Sequence, residues 1–208
     1  MPNETFDELL AMAAQFHGHL CTGQVIGVRM ASLGIRELGF SDPRGTDRKK
    51  LVVLVEIDRC ATDAIMTVTG CRIGRRSMKV IDRGKMAATF VDIETNRAVR
   101  IVSLASARQE AAARYPHLDA NAAQMTAYRE LPDELLFAVA EVAVTLAPED
   151  LPGPPLGKAL CDGCGETVLD CREVRQDGRT LCRDCASGTS HYRLLGEYRK
   201  PLSKETPA

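Results

Sequence analysis

The chain has 208 residues, 45% hydrophobic and 26% charged, a composition that excludes wholesale disorder. Its charges nearly cancel, with 27 Lys and Arg against 28 Asp and Glu, so a general polyanion binder is not expected. Aromatics are 4% and Trp is missing, which argues against base-stacking platforms for single-stranded nucleic acid.

The opening stretch, MPNETFDELLAMAAQF, has no basic leader and is not read as a secretory signal. No apolar run reaches the roughly 20 residues that cross a bilayer, so no membrane span is expected. A cytoplasmic, reducing location follows as the expectation. There, grouped cysteines are read as metal ligands or reactive thiols rather than disulfides.

Thr5 and Glu8 form a capping box, and Phe6, Leu9, Leu10 and Ala13 follow at helical spacing. A turn-like stretch, His17-Gly-His-Leu-Cys-Thr-Gly23, comes next. Val25, Ile26, Val28, Leu33, Ile35 and Leu38 then predict a second helix, stopped by Gly39. After a polar loop, LVVLVEI at 51–57 predicts a buried strand. Residues 61–70 predict a short helix with Thr62 or Asp63 near its start. Strands are predicted near 78–82, 86–93 and 98–104, with DRGK and ETNR as hairpin turns. The Ala-rich stretch 105–146 predicts three helices divided by Pro116 and Pro132.

The predicted fold class is α+β, with helices flanking a mainly antiparallel sheet. Pro148, Pro152, Pro154 and Pro155 mark a linker at 148–157. It separates a first domain, 1–147, from a second, 158–208, that ends in the polar tail PLSKETPA.

Five of the eight cysteines follow the linker. Cys161 and Cys164 form one C-x2-C pair, Cys182 and Cys185 another, and 17 residues separate them. That is the spacing of a four-cysteine zinc site of the zinc-ribbon or treble-clef type. So small a segment buries little core, so the metal would supply most of its folding energy. Cys171 belongs to neither pair. From Lys158 onward nine Lys and Arg face eight Asp and Glu, and four thiolates on one divalent ion add negative charge. A nucleic-acid role is therefore not expected, and a structural or protein-docking role is.

Upstream, His17, His19 and Cys21 lie within five residues at a helix junction. His17 and Cys21 converge if the turn is helical, His17 and His19 if it is extended or irregular, and Gly18 and Gly23 allow either. Imidazole and thiolate suit zinc or another transition metal. Asp58-Arg59-Cys60-Ala-Thr-Asp63 falls where a buried strand meets a helix. Cys60 is a candidate metal-bound or reactive thiolate, its pKa lowered by the helix N-terminus, and Asp63 is the second candidate catalytic residue there. Cys71 and Arg72, with Arg75, Arg76 and Lys79 nearby, are candidates for binding an anion or substrate.

Phe16-His-Gly-His-Leu-Cys-Thr-Gly23, with Gly27 and Arg29-Met30, resembles the opening motif of the FmdE family, the E-type subunits of formylmethanofuran dehydrogenase. Cys60-Ala-Thr-Asp63-Ala-Ile65 and Thr69-Gly-Cys71 are similar to that family's second motif, and Cys161 to Cys185 to its zinc-binding appendage. The resemblance implies an α+β domain that pairs into homodimers and carries a metal near the His/Cys motif. It also implies association with a larger redox complex handling one-carbon units on molybdenum or tungsten pterins, without the pterin-bearing component's own chemistry. The leading expectation is thus an accessory or small-molecule-binding metalloprotein with two metal sites, the first using His17, His19, Cys21 and Cys60. The rivals are a thiol- or metal-dependent oxidoreductase using Cys60, with Cys21 or Cys71 as resolving partner, and a zinc-finger interaction or regulatory module.

Overall fold

The computed structural model describes residues 4–196, so the tail at 201–208 lies outside the described residues. The chain divides between Gly153 and Pro154 into two compact units.

In the first unit, α1 (Phe6–His17) begins at the expected capping box. Thr5 N donates to Glu8 Oε2 at 2.7 Å and Glu8 N donates to Thr5 Oγ1 at 3.3 Å. Gly18, at φ 95°, ends the helix in a left-handed conformation that a side chain would strain. Then α2 (Thr22–Leu38) starts from Cys21 as N-cap and stops at Gly39. Next come β1 (Leu51–Val55), α3 (Cys60–Thr69), β2 (Met78–Val80), β3 (Ala87–Asp92) and β4 (Arg97–Ser103). The unit continues with α4 (Ser106–Arg114), α5 (Ala120–Glu130), the one-turn α6 (Asp133–Leu136) and β5 (Phe137–Glu141).

The sheet order is β2-β1-β3-β4-β5. Pairing is antiparallel except between β1 and β2. Alternation along the strands sorts the two faces. Val53, Val55, Ala88, Phe90, Val99 and Ile101 join the main core with the helices. Val52, Val91 and Ala98 face the other way, covered by Val142, Val144 and Leu146.

Two expectations are corrected. DRGK is not a hairpin turn: β2 lies parallel to β1, with Val53 opposite Met78, because α3 carries the chain back between them. The following segment instead turns past the end of β1, where Arg83 N and Lys85 N both donate to Glu56 O. The ETNR turn is a hairpin, with Asn96 at φ 59° and Asp92 accepting from Glu94 N and Thr95 Oγ1. The third Ala-rich helix is also corrected. After one turn of α6 the chain becomes β5, where Ala138 and Ala140 pair with Val102 and Arg100. Ladder pairing overrides alanine's helix preference, and the alternation of Val142, Val144 and Leu146 continues a strand-like period.

Two glycines on one face of α2 let it approach α3 backbone to backbone. A Cβ at Gly27 would sit 2.6 Å from Ala61 O and 2.7 Å from Ala64 Cβ. One at Gly23 would sit 2.8 Å from Cys60 Cβ. A separate glycine, Gly34, accepts the Phe90 ring from the sheet. Gly27→Val therefore forces α2 and α3 apart. The expected cost is about 1–3 kcal/mol, the usual penalty of overpacking, measurable by urea denaturation; an unchanged midpoint would show that the helices yield freely.

In the second unit, β6 (Lys158–Leu160) pairs with β7 (Thr167–Leu169) and β8 (Val174–Gln176) with β9 (Arg179–Leu181), followed by α7 (Arg183–Ser187). Asp177 and Gly178 turn the second hairpin with both φ values positive, as a type I′ turn requires. The order of knuckle, hairpin and short helix is treble-clef-like, as expected.

Candidate metal centre

Four sulfurs gather in the second unit. The donor atoms of Cys161, Cys164, Cys182 and Cys185 all lie within 4.8 Å of one another. Cys164 Sγ and Cys182 Sγ are 3.9 Å apart, close to the ~3.8 Å edge of a tetrahedron with 2.3 Å zinc–sulfur bonds. Backbone N–H groups point at the sulfurs: Cys182 N donates to Cys161 Sγ at 3.1 Å, Gly163 N to the same sulfur at 3.3 Å, and Cys185 N to Cys182 Sγ at 3.4 Å. Gly163 leaves room for this, since a Cβ there would meet Cys185 Sγ at 2.9 Å. The N–H of Cys182, helped by those of Cys164 and Gly163, lowers the Cys161 thiol to about 6. Hydrogen bonds to the Cys182 and Cys161 thiols push Cys185 up to about 12. Four thiolates this close need a cation to coexist, and the donor set fits zinc. Cys171 lies outside the cluster, exposed and at φ 54°.

The second cluster forms where the ends of α1, α2 and α3 meet. His17 is the last residue of α1, Cys21 caps α2 and Cys60 opens α3. The donor atoms of His17, His19 and Cys21 lie within 4.8 Å of one another. The turn is irregular, the second of the conformations weighed for the two histidines: Gly18 takes the left-handed conformation between them. The two imidazole rings lie 4.6 Å apart between centroids, tilted by 43°. Cys60 stands outside that group of three but close to it: a Cβ on Gly23 would lie between them, 2.8 Å from Cys60 Cβ and 3.6 Å from Cys21 Sγ.

Asp63, one turn into α3, accepts a hydrogen bond at 2.8 Å from His17 Nδ1. A carboxylate only accepts, so Nδ1 carries the shared proton, and in the neutral ring the lone pair lies on Nε2. That Nε2 is buried and has no hydrogen-bond partner among the described residues. A buried orphan acceptor in a group with His19 and the Cys21 thiol, with its opposite nitrogen tied to a carboxylate, is the geometry of a histidine prepared for a metal. The donors thus fit a borderline-soft ion.

The environment of Cys60 runs against the expected low thiol pKa. Burial raises it first, then the hydrogen bond and charge of Cys21, and Asp63 adds to both. The helix N-terminus does not prevail. Cys71 is not brought to the cluster. It is 3% exposed, with its sulfur 3.6 Å from Leu51 O, and burial raises its pKa. A core cysteine without access serves as neither resolving thiol nor anion site, which corrects that expectation. Arg72 also departs from its expected role: its NH1 donates to the carbonyls of Met66 and Cys71 at the end of α3, and its guanidinium lies 5.5 Å from the Phe16 ring centre.

Sequence reasoning missed Gln24. It is fully buried, and its Nε2 donates to Cys60 O at 2.6 Å, locking the start of α3 against α2. The available signal was an amide side chain at the head of an otherwise apolar helix face.

Residues 16–149 match the family model described as FmdE, molybdenum formylmethanofuran dehydrogenase operon. The chain belongs to the FmdE family. A tungsten formylmethanofuran dehydrogenase FmdE-like protein from Syntrophus aciditrophicus has a similar structure, with a TM-score of 0.62 and 25% identity over 92% of this FmdE chain and 96% of that one. Residues 154–191 match the prokaryotic dksA/traR C4-type zinc finger, so the FmdE domain here carries a C4 zinc-finger unit. A probable S-adenosyl-L-methionine-binding protein of Archaeoglobus fulgidus is 34% identical over 101 residues. That match takes in 48% of this chain but only 28% of the relative, so the chain spans well under a third of that protein's length. Among the described residues no helix is long and apolar enough to cross a membrane.

Proposed function

We propose that this FmdE-family chain is an accessory metalloprotein with two sites: a structural zinc on Cys161, Cys164, Cys182 and Cys185, and a transition metal, zinc included, on His17, Cys21 and Cys60. The observation that carries the second site is the buried, partnerless His17 Nε2 beside Cys21, with Nδ1 held by Asp63. His19, exposed in the same cluster, is the fourth donor or the residue that yields its place to a ligand. A metal bound there would supply Lewis acidity. The residues of the chain orient it: Asp63 fixes the His17 tautomer and ring orientation, and Gln24 holds the Cys60 backbone.

The family match supports a link to molybdenum- or tungsten-dependent one-carbon redox chemistry. On this reading the chain works as a homodimer beside a larger redox complex in the cytoplasm, where its eight unbridged cysteines stay reduced. The raised Cys60 pKa speaks against a free thiolate nucleophile and for a cysteine that ionises on a metal.

Metal analysis after reconstitution with zinc tests this. Two ions per wild-type chain are expected. Cys21→Ser and His17→Ala each reduce the count to one, and Asp63→Asn weakens the N-terminal site by about 10- to 100-fold, the usual cost of losing such a partner. Two ions retained by His17→Ala would refute the N-terminal site.

A further inference from the structure

A cavity of about 320 Å³ adjoins the start of α2, with Thr22 and Gly23 in its wall. Gly23 also lies against the thiols: its missing Cβ would stand 2.8 Å from Cys60 Cβ and 3.6 Å from Cys21 Sγ. The cavity and the proposed metal centre therefore share a wall residue that has no side chain. The volume is that of a small-molecule pocket.

The polar lining comes from Ser103, Arg108, Gln124 and Tyr128, the apolar lining from Ile26, Met86 and Leu104. Arg108, exposed where it lines the cavity beside Tyr128, has no carboxylate partner among the described residues. Tyr128 is 5% exposed, and its hydroxyl donates to Gln124 Oε1 at 3.3 Å. That is long for an O–H···O bond, so the hydroxyl hydrogen is readily turned to a better acceptor. Burial pushes the Tyr128 hydroxyl up, which keeps it a donor at neutral pH. The first turn of α2 holds no acidic residue, so the wall on that side does not repel an anion.

We propose that this cavity binds a small organic carboxylate, its head group on Arg108 and Tyr128 and its apolar body against Ile26, Met86 and Leu104, next to the metal centre. One guanidinium with neutral donors suits a monoanion, and a phosphate dianion would call for more cations. The apolar wall selects an organic acid over an inorganic ion. The inference rests on the proposed metal centre for its chemical purpose, and the binding itself does not depend on metal.

Calorimetric titration of the full-length, zinc-reconstituted chain with butyrate and with 1-butanol tests it, with metal content measured in parallel. Butyrate is expected to bind at least about tenfold more tightly than the alcohol. Arg108→Gln removes that preference, a loss of tenfold or more for one charge-assisted pair. Tyr128→Phe, which keeps the ring in the core, weakens butyrate and leaves the alcohol unaffected. Butyrate binding no better than butanol, or equal butyrate binding by Arg108→Gln in a folded protein, overturns the proposal. Failure of the metal centre would read differently: one ion per chain with the butyrate preference intact.

Discussion

Removal of metal by excess chelator at pH 7 is expected to unfold the C-terminal unit while the N-terminal unit keeps its helices. The reason is the size of the core. Among the described residues after Gly153, only Cys161 and Leu181 are buried apolar side chains. The four strands are three residues each, paired only as separate two-stranded hairpins. Such hairpins are marginal alone. A structural zinc on four thiolates contributes about 10–16 kcal/mol at neutral pH, far beyond what two buried side chains supply. Cys164→Ser is expected to act like the chelator. Zinc must displace protons, above all from Cys185 at about 12, so zinc affinity falls as pH falls. Amide NMR spectra give the readout: dispersed signals from 158–187 collapse while those of the first unit persist. Dispersion that survives verified removal of zinc would mean that packing holds the unit.

Arg29→Ala is expected to destabilise the N-terminal unit by about 2–3 kcal/mol, at or below the lower end for breaking a buried ion pair because this one is only partly buried. Arg29 sits in the middle of α2, and its fork closes the far end of the domain. NH1 donates to Tyr128 O at 3.0 Å and Arg129 O at 3.1 Å, and NH2 donates to Leu131 O and Asp133 Oδ1, both at 2.7 Å. Its removal strands carbonyls at the end of α5 and leaves Asp133 with Arg36 as its cation. Arg29→Lys keeps the charge but loses the fork, so most of the loss remains. Burial works to raise the Asp133 pKa, yet the hydrogen bonds of Arg36 and Arg29 outweigh it and hold the group below its usual 3.8. A depressed carboxylate stabilises above its unfolded pKa, and that contribution fades as pH falls through the folded one. The deficit of Arg29→Ala is therefore full at pH 7 and shrinks below about pH 4. Urea denaturation at pH 7 and pH 3 measures both, and an equal deficit at the two values would remove the ion pair from the explanation.

What the sequence revealed is what short-range chemistry decides. The Thr5 box, the glycine stop at 39, the apolar run of β1 and the ETNR turn each draw on a few neighbouring residues. The C-terminal cysteines are legible for the same reason, because both pairs carry their spacing within 25 residues. The misreadings are long-range. Ala138 and Ala140 favour a helix until β4 offers a ladder, and nothing near DRGK tells that β2 joins β1. In the N-terminal cluster the donor types were visible, but their wiring was not: His17 and Asp63 are 46 residues apart, and the packing of α1 against α3 that joins their segments is visible only in the fold. Cys71 matched a motif by type, and its burial beneath β1 could be seen only in three dimensions.

The reach of Arg29 also sets a timetable for synthesis. Its carboxylate partner lies 104 residues further along the chain. At about 5–20 residues per second, a ribosome takes on the order of 5–20 s to deliver Asp133 after Arg29 has been added. Throughout that interval the apolar face of α2 waits without its lock, a natural task for holding chaperones. The cysteine-rich segment, whose strands and sulfurs are all near neighbours in sequence, has no such delay and can close within seconds of emerging.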